Sequence, residues 1–309
     1  MDALETPQTI LLAGAGGGYD IFTGLPLYFA LRSAGKTVHL ANLSFAPIYT
    51  SSGRRTEPSI VEIDGSNQDE MSYFPELYLA RWLKQQGHPD TIHCIDRTGA
   101  KRVARAYEFL AETLKPDAVV LIDGGTDSLM RGDEPRLGTP QEDIASIAAV
   151  HALDIPTKLL ICLGFGIDNF HGVCHHYVLE AMADLIKAGG YLGAWSLTKD
   201  MPEVALYKEA CEYVFHKMFN DPSIVNSSIL SAIDGEFGDF HATYRTQGSR
   251  LYINALMSIY WCFTVDAVAG RNLYLDRIAD TNMFEDLTLE IEKFRCSLPE
   301  YQPWVDLPL

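Results

Sequence analysis

Basic side chains are scarce in this sequence. Its 309 residues include 24 Lys and Arg against 41 Asp and Glu, which gives a formal net charge of −17 at pH 7. Proteins that follow nucleic-acid phosphates depend on clustered Lys and Arg, whose binding releases counterions. The acidic balance therefore argues against a nucleic-acid-binding function, and we expect no nucleic-acid partner.

Long apolar runs and paired cysteines are also missing. The most apolar late stretch, residues 255–270, is interrupted by Ser258, Thr264 and Asp266 and is shorter than the about 20 residues that a bilayer span needs. The six cysteines are scattered without C-x-x-C spacing. A reducing compartment is the simplest interpretation of this pattern. Residues 1–7 lack the basic and apolar regions of a signal peptide. We expect a cytoplasmic protein without a membrane partner.

Two frequent signatures of α/β enzymes do not occur. The sequence has neither a G-x-S-x-G nucleophile elbow nor a Walker A loop. What is present is a hydrophobic fraction of 47% with only 21% charged residues, the composition of a folded globule rather than a disordered chain. The length fits one large domain or two small ones.

Strand-like and helix-like segments alternate along the first 200 residues. Short apolar runs at 8–13, 36–43, 93–95, 118–122, 158–163 and 191–197 are separated by stretches with helical periodicity. This alternation predicts an α/β fold with a doubly wound, mostly parallel, Rossmann-like sheet and helices on both faces. Thr139-Pro140-Gln141-Glu142 predicts a capping box at the start of one of these helices.

The pattern weakens after residue 200. Helices are predicted near 202–219 and 284–295, whereas the run 251–268 fits a strand or a helix equally well. We expect a Rossmann-like core over residues 1–200 and a C-terminal helical extension over 201–309 that packs on it, with one single domain 1–309 as the alternative.

Three predicted strands end in segments that combine glycine with aspartate. These segments are GAGGGYD at 14–20, DGGTDS at 123–128 and GFGIDN at 164–169. Ligands of open parallel sheets bind outside the carboxyl ends of the strands. Glycine lets the backbone approach a ligand, and aspartate supplies a carboxylate there. The sequence therefore predicts an acidic crevice, with Asp20 and Asp168 as candidate general bases.

The first loop allows two interpretations. Backbone N–H groups of Gly16, Gly17 and Gly18 could hold an anionic group of a substrate. Binding of a nicotinamide dinucleotide fits less well, because Tyr19 stands where G-x-G-x-x-G needs glycine and the second strand lacks the acid that holds a ribose. A third interpretation is a tight strand-to-helix turn without a ligand.

Asp123 and Asp127 flank Gly124, Gly125 and Thr126 directly after an apolar strand. Such carboxylates can bind Mg²⁺, hold substrate hydroxyl groups or act as a general base, and the three intervening residues would contact the substrate. A solvated loop with Asx turns is the alternative.

The stretch 168–176 is rich in metal-ligand side chains. If a helix begins near His171, then His171 and His175 lie one turn apart, a spacing that lets two imidazoles share a metal ion. His171 is also a candidate for proton transfer. The histidines would suit Zn²⁺, but the glutamate of H-E-x-x-H is replaced by Gly172.

Two arginines are the candidate anion clamp. Arg54 and Arg55 fall in a polar stretch after the second strand, and an Arg pair on a loop over the crevice would bind a phosphate or a carboxylate. Glu134 lies near the second Asp-Gly segment and is a further candidate substrate contact.

Four segments together resemble a known family: GAGGGYDIFTGLP at 14–26, LIDGGTDSLMRGDE at 121–134, GTPQED at 138–143 and GFGIDNFH at 164–171. They are similar to proteins of domain-of-unknown-function family 1152, and the resemblance extends over most of the chain. It implies one site built from Gly16 to Gly18, Asp123 to Asp127, the pair Asp133-Glu134 and Asp168. The histidine cluster is less typical of the family, and the resemblance implies no particular reaction.

We therefore expect an enzyme that catalyses hydrolysis or group transfer on a small polar substrate, such as a nucleotide, a sugar or an amino-acid derivative. A nicotinamide- or flavin-dependent oxidoreductase and a non-catalytic small-molecule sensor are the alternatives. No cofactor is specified: Mg²⁺ fits the carboxylates best, and Zn²⁺ or NAD fits less well. The oligomeric state stays open, with a homodimer as the commonest assembly.

Overall fold

The computed structural model describes residues 2–88, 90–249 and 251–307. Its strands are β1 (Thr9–Gly14), β2 (Thr37–Ser44), β3 (Arg54–Glu57), β4 (Ile60–Ile63), β5 (Ile92–Asp96), β6 (Ala118–Asp123), β7 (Thr157–Leu163), β8 (Tyr191–Ser196), β9 (Gly238–Asp239), β10 (Tyr252–Ile253) and β11 (Ile259–Thr264). Its helices are α1 (Asp20–Thr23), α2 (Leu25–Ser33), α3 (Pro75–Gln85), α4 (Ala100–Leu114), α5 (Pro140–His151), α6 (His175–Lys187), α7 (Pro202–Lys217), α8 (Ile224–Asp234), α9 (Val265–Arg271), α10 (Leu275–Ile278) and α11 (Phe284–Ser297). Within the described residues, no helix combines the length and the apolar character that crossing a membrane requires.

Nine strands form one mixed sheet in the order β3-β4-β5-β2-β1-β6-β7-β11-β8. The five central strands, from β5 to β7, are parallel to one another. Towards the edges, β4 pairs antiparallel with β3 and β5, and β11 pairs antiparallel with β7 and β8. The predicted α/β fold with a doubly wound, mostly parallel sheet is therefore confirmed.

The central strands are apolar on both faces because helices cover both. In β6, Val120 and Ile122 belong to a buried cluster on one face of the sheet, and Val119 and Leu121 belong to a second cluster on the other. Helices α2, α3, α7 and α8 supply side chains to the first cluster, and α4, α5, α6, α9 and α11 supply the second. Continuous apolar runs are what strands buried in this way require.

Two parts of the chain differ from the expectations. The polar stretch around residue 54 is an edge hairpin, β3–β4, rather than a loop. The ambiguous run 251–268 contains both kinds of element, because β11 ends at Thr264 and α9 begins at Val265. Strand β11 lies inside the large sheet although it belongs to the predicted C-terminal part. The division into 1–200 and 201–309 stays a prediction.

The order of the strands creates a switch point between β1 and β6. After β1 the chain builds β2, β3, β4 and β5 on one side, and it then crosses to β6 and β7 on the other. Gly14 at the end of β1 lies beside Ile122 of β6, so the loops that follow the two strands start next to each other. Ligands of doubly wound sheets bind at such a point.

Candidate functional site

The loop after β1 folds back on itself. The carboxylate of Asp20, at the start of α1, accepts a hydrogen bond from the backbone N–H of Gly16 at 2.7 Å. Gly17 and Gly18 have φ values of 89° and 59°, which favour glycine. The ring of Phe45 lies against both, and a Cβ atom on Gly17 would be 2.5 Å from its Cε1. Of the three glycines, Gly16 is therefore the one that faces the carboxylates.

The glycines of the loop after β6 make room for carboxylates. A Cβ atom on Gly124 would lie 2.8 Å from Asp20 Oδ1, and one on Gly125 would lie 2.6 Å from Asp168 Oδ2. The backbone N–H of Thr126 donates to Asp168 Oδ2 at 2.6 Å, and the Thr126 hydroxyl reaches the same oxygen at 3.3 Å. These contacts bind the loop after β7 to the loop after β6.

Asp127 is bound to the start of α5. Its Oδ2 accepts hydrogen bonds from the backbone N–H and the hydroxyl of Thr139, at 2.9 and 3.2 Å. The predicted capping box is therefore wrong, because the Thr139 hydroxyl bonds to Asp127 and makes no side-chain cap with its own helix. Pro140 is the first residue of α5, as predicted.

Asp143 is the main residue that the sequence analysis missed. It lies in the first turn of α5 and is only 3% exposed. Its carboxylate, that of Asp20 and that of Asp123 offer oxygen atoms that all lie within 4.8 Å of one another. The hydroxyl of Ser128 donates to Asp123. The segment GTPQED contains Asp143, but an acid in a first helical turn is usually a solvated partner of the helix dipole.

Burial and mutual repulsion raise the pKa values of these carboxyl groups. Burial raises the pKa of Asp123 to about 7, and the neighbouring charge of Asp127 adds to the increase. The pKa of Asp143 is also raised, first by burial and then by the charge of Asp123. The same two causes raise the pKa of Asp20, and burial raises that of Asp168. Perturbed carboxyl groups in a crevice are typical of functional sites.

The histidine stretch does not form the predicted helical pair. A short 3₁₀ helix ends at His171, Gly172 has a φ of 88°, and α6 begins only at His175. The expectation of a helix from His171 is therefore wrong, and the two imidazoles are not one turn apart. His175 stacks on Phe165 with ring centroids 5.5 Å apart. Within the described residues, neither histidine belongs to a group of possible metal ligands.

The arginine pair lies far from the switch point. Arg54 and Arg55 are on the edge strand β3, four strands from β1, which is about 19 Å at the usual strand spacing. Arg54 forms an ion pair with Glu62, and Arg55 packs over the ring of Tyr49 at 4.7 Å. The expectation of a loop over the crevice is wrong, since the edge hairpin carries both residues away from it.

Glu134 is bound by its own loop. The backbone N–H groups of Arg131 and Gly132 donate to its two carboxylate oxygens at 2.8 and 2.7 Å, and Arg271 lies 3.9 Å away. A carboxylate with these partners stabilises the loop conformation. Glu134 is not a member of the group of three carboxylates.

A different arginine forms an ion pair with the first turn of α5. Arg97 directly follows β5, and its Nη1 is 3.6 Å from Glu142 Oε1, next to Asp143 in α5. Its guanidinium lies over the rings of Phe45 and Phe284, at 5.0 and 4.6 Å from their centroids. The sequence analysis missed Arg97 because a single arginine after a short strand has no distinctive spacing.

The family model described as "Protein of unknown function (DUF1152)" matches residues 70–298. The chain belongs to this family. The DUF1152 match includes Asp123, Asp127, Asp143 and Asp168, whereas Gly16 to Gly18 and Asp20 precede its first residue. No curated protein and no solved structure matched the chain. The resemblance drawn from the sequence is confirmed, and the roles assigned to individual site residues stay predictions.

Proposed function

We propose that this protein is an enzyme that catalyses hydrolysis or group transfer on a small polar substrate at the acidic crevice. The substrate would be a nucleotide, a sugar or an amino-acid derivative. One observation carries the proposal: Asp20, Asp123 and Asp143 come from three separate elements and converge within 4.8 Å at the switch point of the sheet. A carboxylate in such a position accepts the proton of an attacking hydroxyl group or water.

A cavity beside the glycine loop supports the proposed size and polarity of the substrate. It measures about 440 Å³, and its lining includes the rings of Phe45 and Tyr73 and the acidic residues Asp69 and Glu70. Tyr73 also approaches Gly18, where a Cβ atom would be 3.1 Å from its hydroxyl oxygen. Aromatic walls with a few polar groups are typical of small-molecule sites.

Two contacts argue against a dinucleotide cofactor. The rings of Phe45 and Tyr73 lie against Gly17 and Gly18, in the loop whose backbone approaches the pyrophosphate in dinucleotide-binding proteins. Asn42 in β2 is fully buried and donates to Gly18 and Glu76, so it offers no carboxylate to a ribose. Retention of a coloured or fluorescent cofactor on purification would favour the oxidoreductase alternative.

The experiment is a substrate screen with the purified full chain. Nucleoside phosphates, sugar phosphates, glycosides and amino-acid amides are incubated with the protein, and products are detected by mass spectrometry. We expect turnover of one class and a loss of about 100-fold or more in kcat for Asp123→Asn, as for removal of a proton-transfer group. Asp200→Asn makes the same change at an exposed position and should keep full activity.

Two other results would decide against catalysis at this site. Equal activity of Asp123→Asn and the wild type would contradict the proposal. Ligand binding that weakens in Asp123→Asn, with no turnover of any class, would identify the sensor alternative.

We also propose a cytoplasmic location and a small-molecule partner. The six cysteines are free, and five of them are buried, which suits a reducing compartment. Fractionation of cells that express the full chain tests the location.

A further inference from the structure

Three carboxylates share one small volume without a positive side chain to balance them. The oxygens of Asp20, Asp123 and Asp143 lie within 4.8 Å of one another. Among the ion pairs of the described residues, none involves any of the three. Like charges at this distance in a buried place repel strongly. Bound protons or a bound cation must therefore compensate the cluster.

Asp143 provides a second, separate observation. Its side chain is only 3% exposed, and its Oδ1 has no hydrogen-bond partner among the described residues. A buried acceptor without a partner is unfavourable, and native proteins leave few of them. In contrast, Asp20 accepts from Gly16 and Asp123 accepts from Ser128. The carboxylate of Asp143 offers an oxygen within 4.8 Å of those of Asp20 and Asp123, and its Oδ1 lies beside Asp20 Oδ2 at Gly16.

Gly16 leaves the space between the carboxylates open. A Cβ atom on Gly16 would be 2.7 Å from Asp143 Oδ1 and 2.8 Å from Asp20 Oδ2. Gly16 does not have a positive φ, so its backbone conformation does not itself require glycine. A side chain here would therefore obstruct the cluster without straining the backbone.

We propose that Asp20, Asp123 and Asp143 together bind one hard divalent cation of the Mg²⁺ class. All donors in the group are carboxylate oxygens, which favour Mg²⁺, Mn²⁺ or Ca²⁺, whereas Zn²⁺ prefers nitrogen and sulfur. The inference rests on the proposed function in one respect, since the cation would hold an anionic group of the substrate in the same crevice. The ligand set differs from the sequence prediction, in which Asp127, His171 and His175 accompanied Asp123.

Cation binding is tested on the full chain after dialysis against EDTA. Mn²⁺ is added stepwise, and electron paramagnetic resonance measures the concentration of free Mn²⁺ after each addition. Mg²⁺ is then added as a competitor. We expect one Mn²⁺ per chain, displaced by Mg²⁺, and at least a tenfold loss of Mn²⁺ affinity in Asp143→Asn. Asp200→Asn removes an exposed carboxylate and should bind Mn²⁺ as the wild type does.

Gly16→Ala is the second variant, because it keeps every charge and fills the space between the ligands. It should also lose Mn²⁺ affinity by tenfold or more, while circular dichroism confirms that both variants are folded. Absence of Mn²⁺ binding in the wild type would overturn the inference. Unchanged Mn²⁺ affinity in both folded variants would also overturn it. Bound protons would then compensate the negative charge of the cluster.

The outcomes separate this inference from the proposed function. Mn²⁺ binding without turnover of any substrate class leaves the cation site standing and counts against the enzyme. Turnover that EDTA does not reduce, together with absence of Mn²⁺ binding in the wild type, leaves the enzyme standing and overturns the cation site.

Discussion

Glu76 connects helix α3 to the glycine loop. Its side chain is fully buried, and its Oε1 accepts a hydrogen bond from Asn42 Nδ2 at 2.8 Å. The same amide group donates to the carbonyl oxygen of Gly18 at 2.9 Å. Burial raises the pKa of Glu76 from 4.5 to about 7. The folded protein therefore holds a proton on Glu76 over a pH range in which the unfolded chain has released it.

This shift predicts how Glu76 contributes to stability. Because its folded pKa is raised, its contribution is largest below pH 4.5 and is lost as the pH rises to about 7. Glu76→Gln removes the titration but keeps the acceptor for Asn42. Relative to the wild type, the unfolding free energy of the variant should therefore increase by about 3 kcal/mol between about pH 4 and about pH 8.

Urea unfolding of both proteins at the two pH values measures this difference. Glu300→Gln, at an exposed position, should differ from the wild type in unfolding free energy by the same amount at both pH values. A pH-independent difference for Glu76→Gln would mean that Glu76 does not keep its proton in the folded state.

Some of the candidate site residues could be predicted from the sequence and others could not. Asp20, Asp123 and Asp168 were predicted because each follows an apolar strand closely, and parallel strands bring such ends together. Asp143 could not be found in this way, since it lies in a helix and only the packing of α5 places it beside Asp123. The carboxylates of Asp20 and Asp168 lie beside Gly124 and Gly125, whose contact with a substrate stays a prediction.

Helix α8 depends on one capping residue near the crevice. The hydroxyl oxygen of Ser223 accepts from the backbone N–H of Asn226 at 3.1 Å and from its side-chain amide at 3.0 Å. The amide also donates to the carbonyl oxygen of Tyr19 at 3.3 Å, directly before Asp20. The cap therefore links α8 to the loop after β1.

Ser223→Ala should lower the unfolding free energy by about 1 to 2 kcal/mol, because two donors lose their acceptor. Chemical denaturation of the variant and the wild type measures the change. Ser33→Ala makes the same substitution at an exposed position of α2 and should stay within about 0.5 kcal/mol of the wild type. Equal stability of both variants would show that α8 does not need this cap.

Elements were predictable where burial dominates the pattern. The strands β1, β2, β6 and β7 were found from their apolar runs, since helices cover them on both faces. The hairpin β3–β4 was missed because β3 is four residues of polar sequence at an edge, Arg54–Glu57, where no burial pattern is imposed. Strand β11 was ambiguous because a helix follows it without any turn residue.

The net charge of −17 affects the stability of the whole molecule. Self-repulsion of this kind destabilises a compact chain, and salt screens it over a Debye length that falls from about 30 Å at 0.01 M to about 3 Å at 1 M. We therefore expect the melting temperature, measured in EDTA to exclude divalent cations, to rise as NaCl increases over this range.

A variant with Lys at the exposed positions Asp200 and Glu300 should show a smaller rise, because its net charge is lower in magnitude. A melting temperature that falls with salt in both proteins would mean that attractive ion pairs dominate the electrostatics of the fold.

The place of β11 in the sheet affects how the chain is made. Among the strands of the described residues, β8 pairs only with β11, and β11 also covers the outer edge of β7. On the ribosome, every growing chain that ends between Ser196 and Ile259 therefore carries β8 without a partner and β7 with an open edge. Open edges pair readily with other chains. Synthesis of this protein thus includes a long interval in which a chaperone that shields unpaired strands would raise the yield.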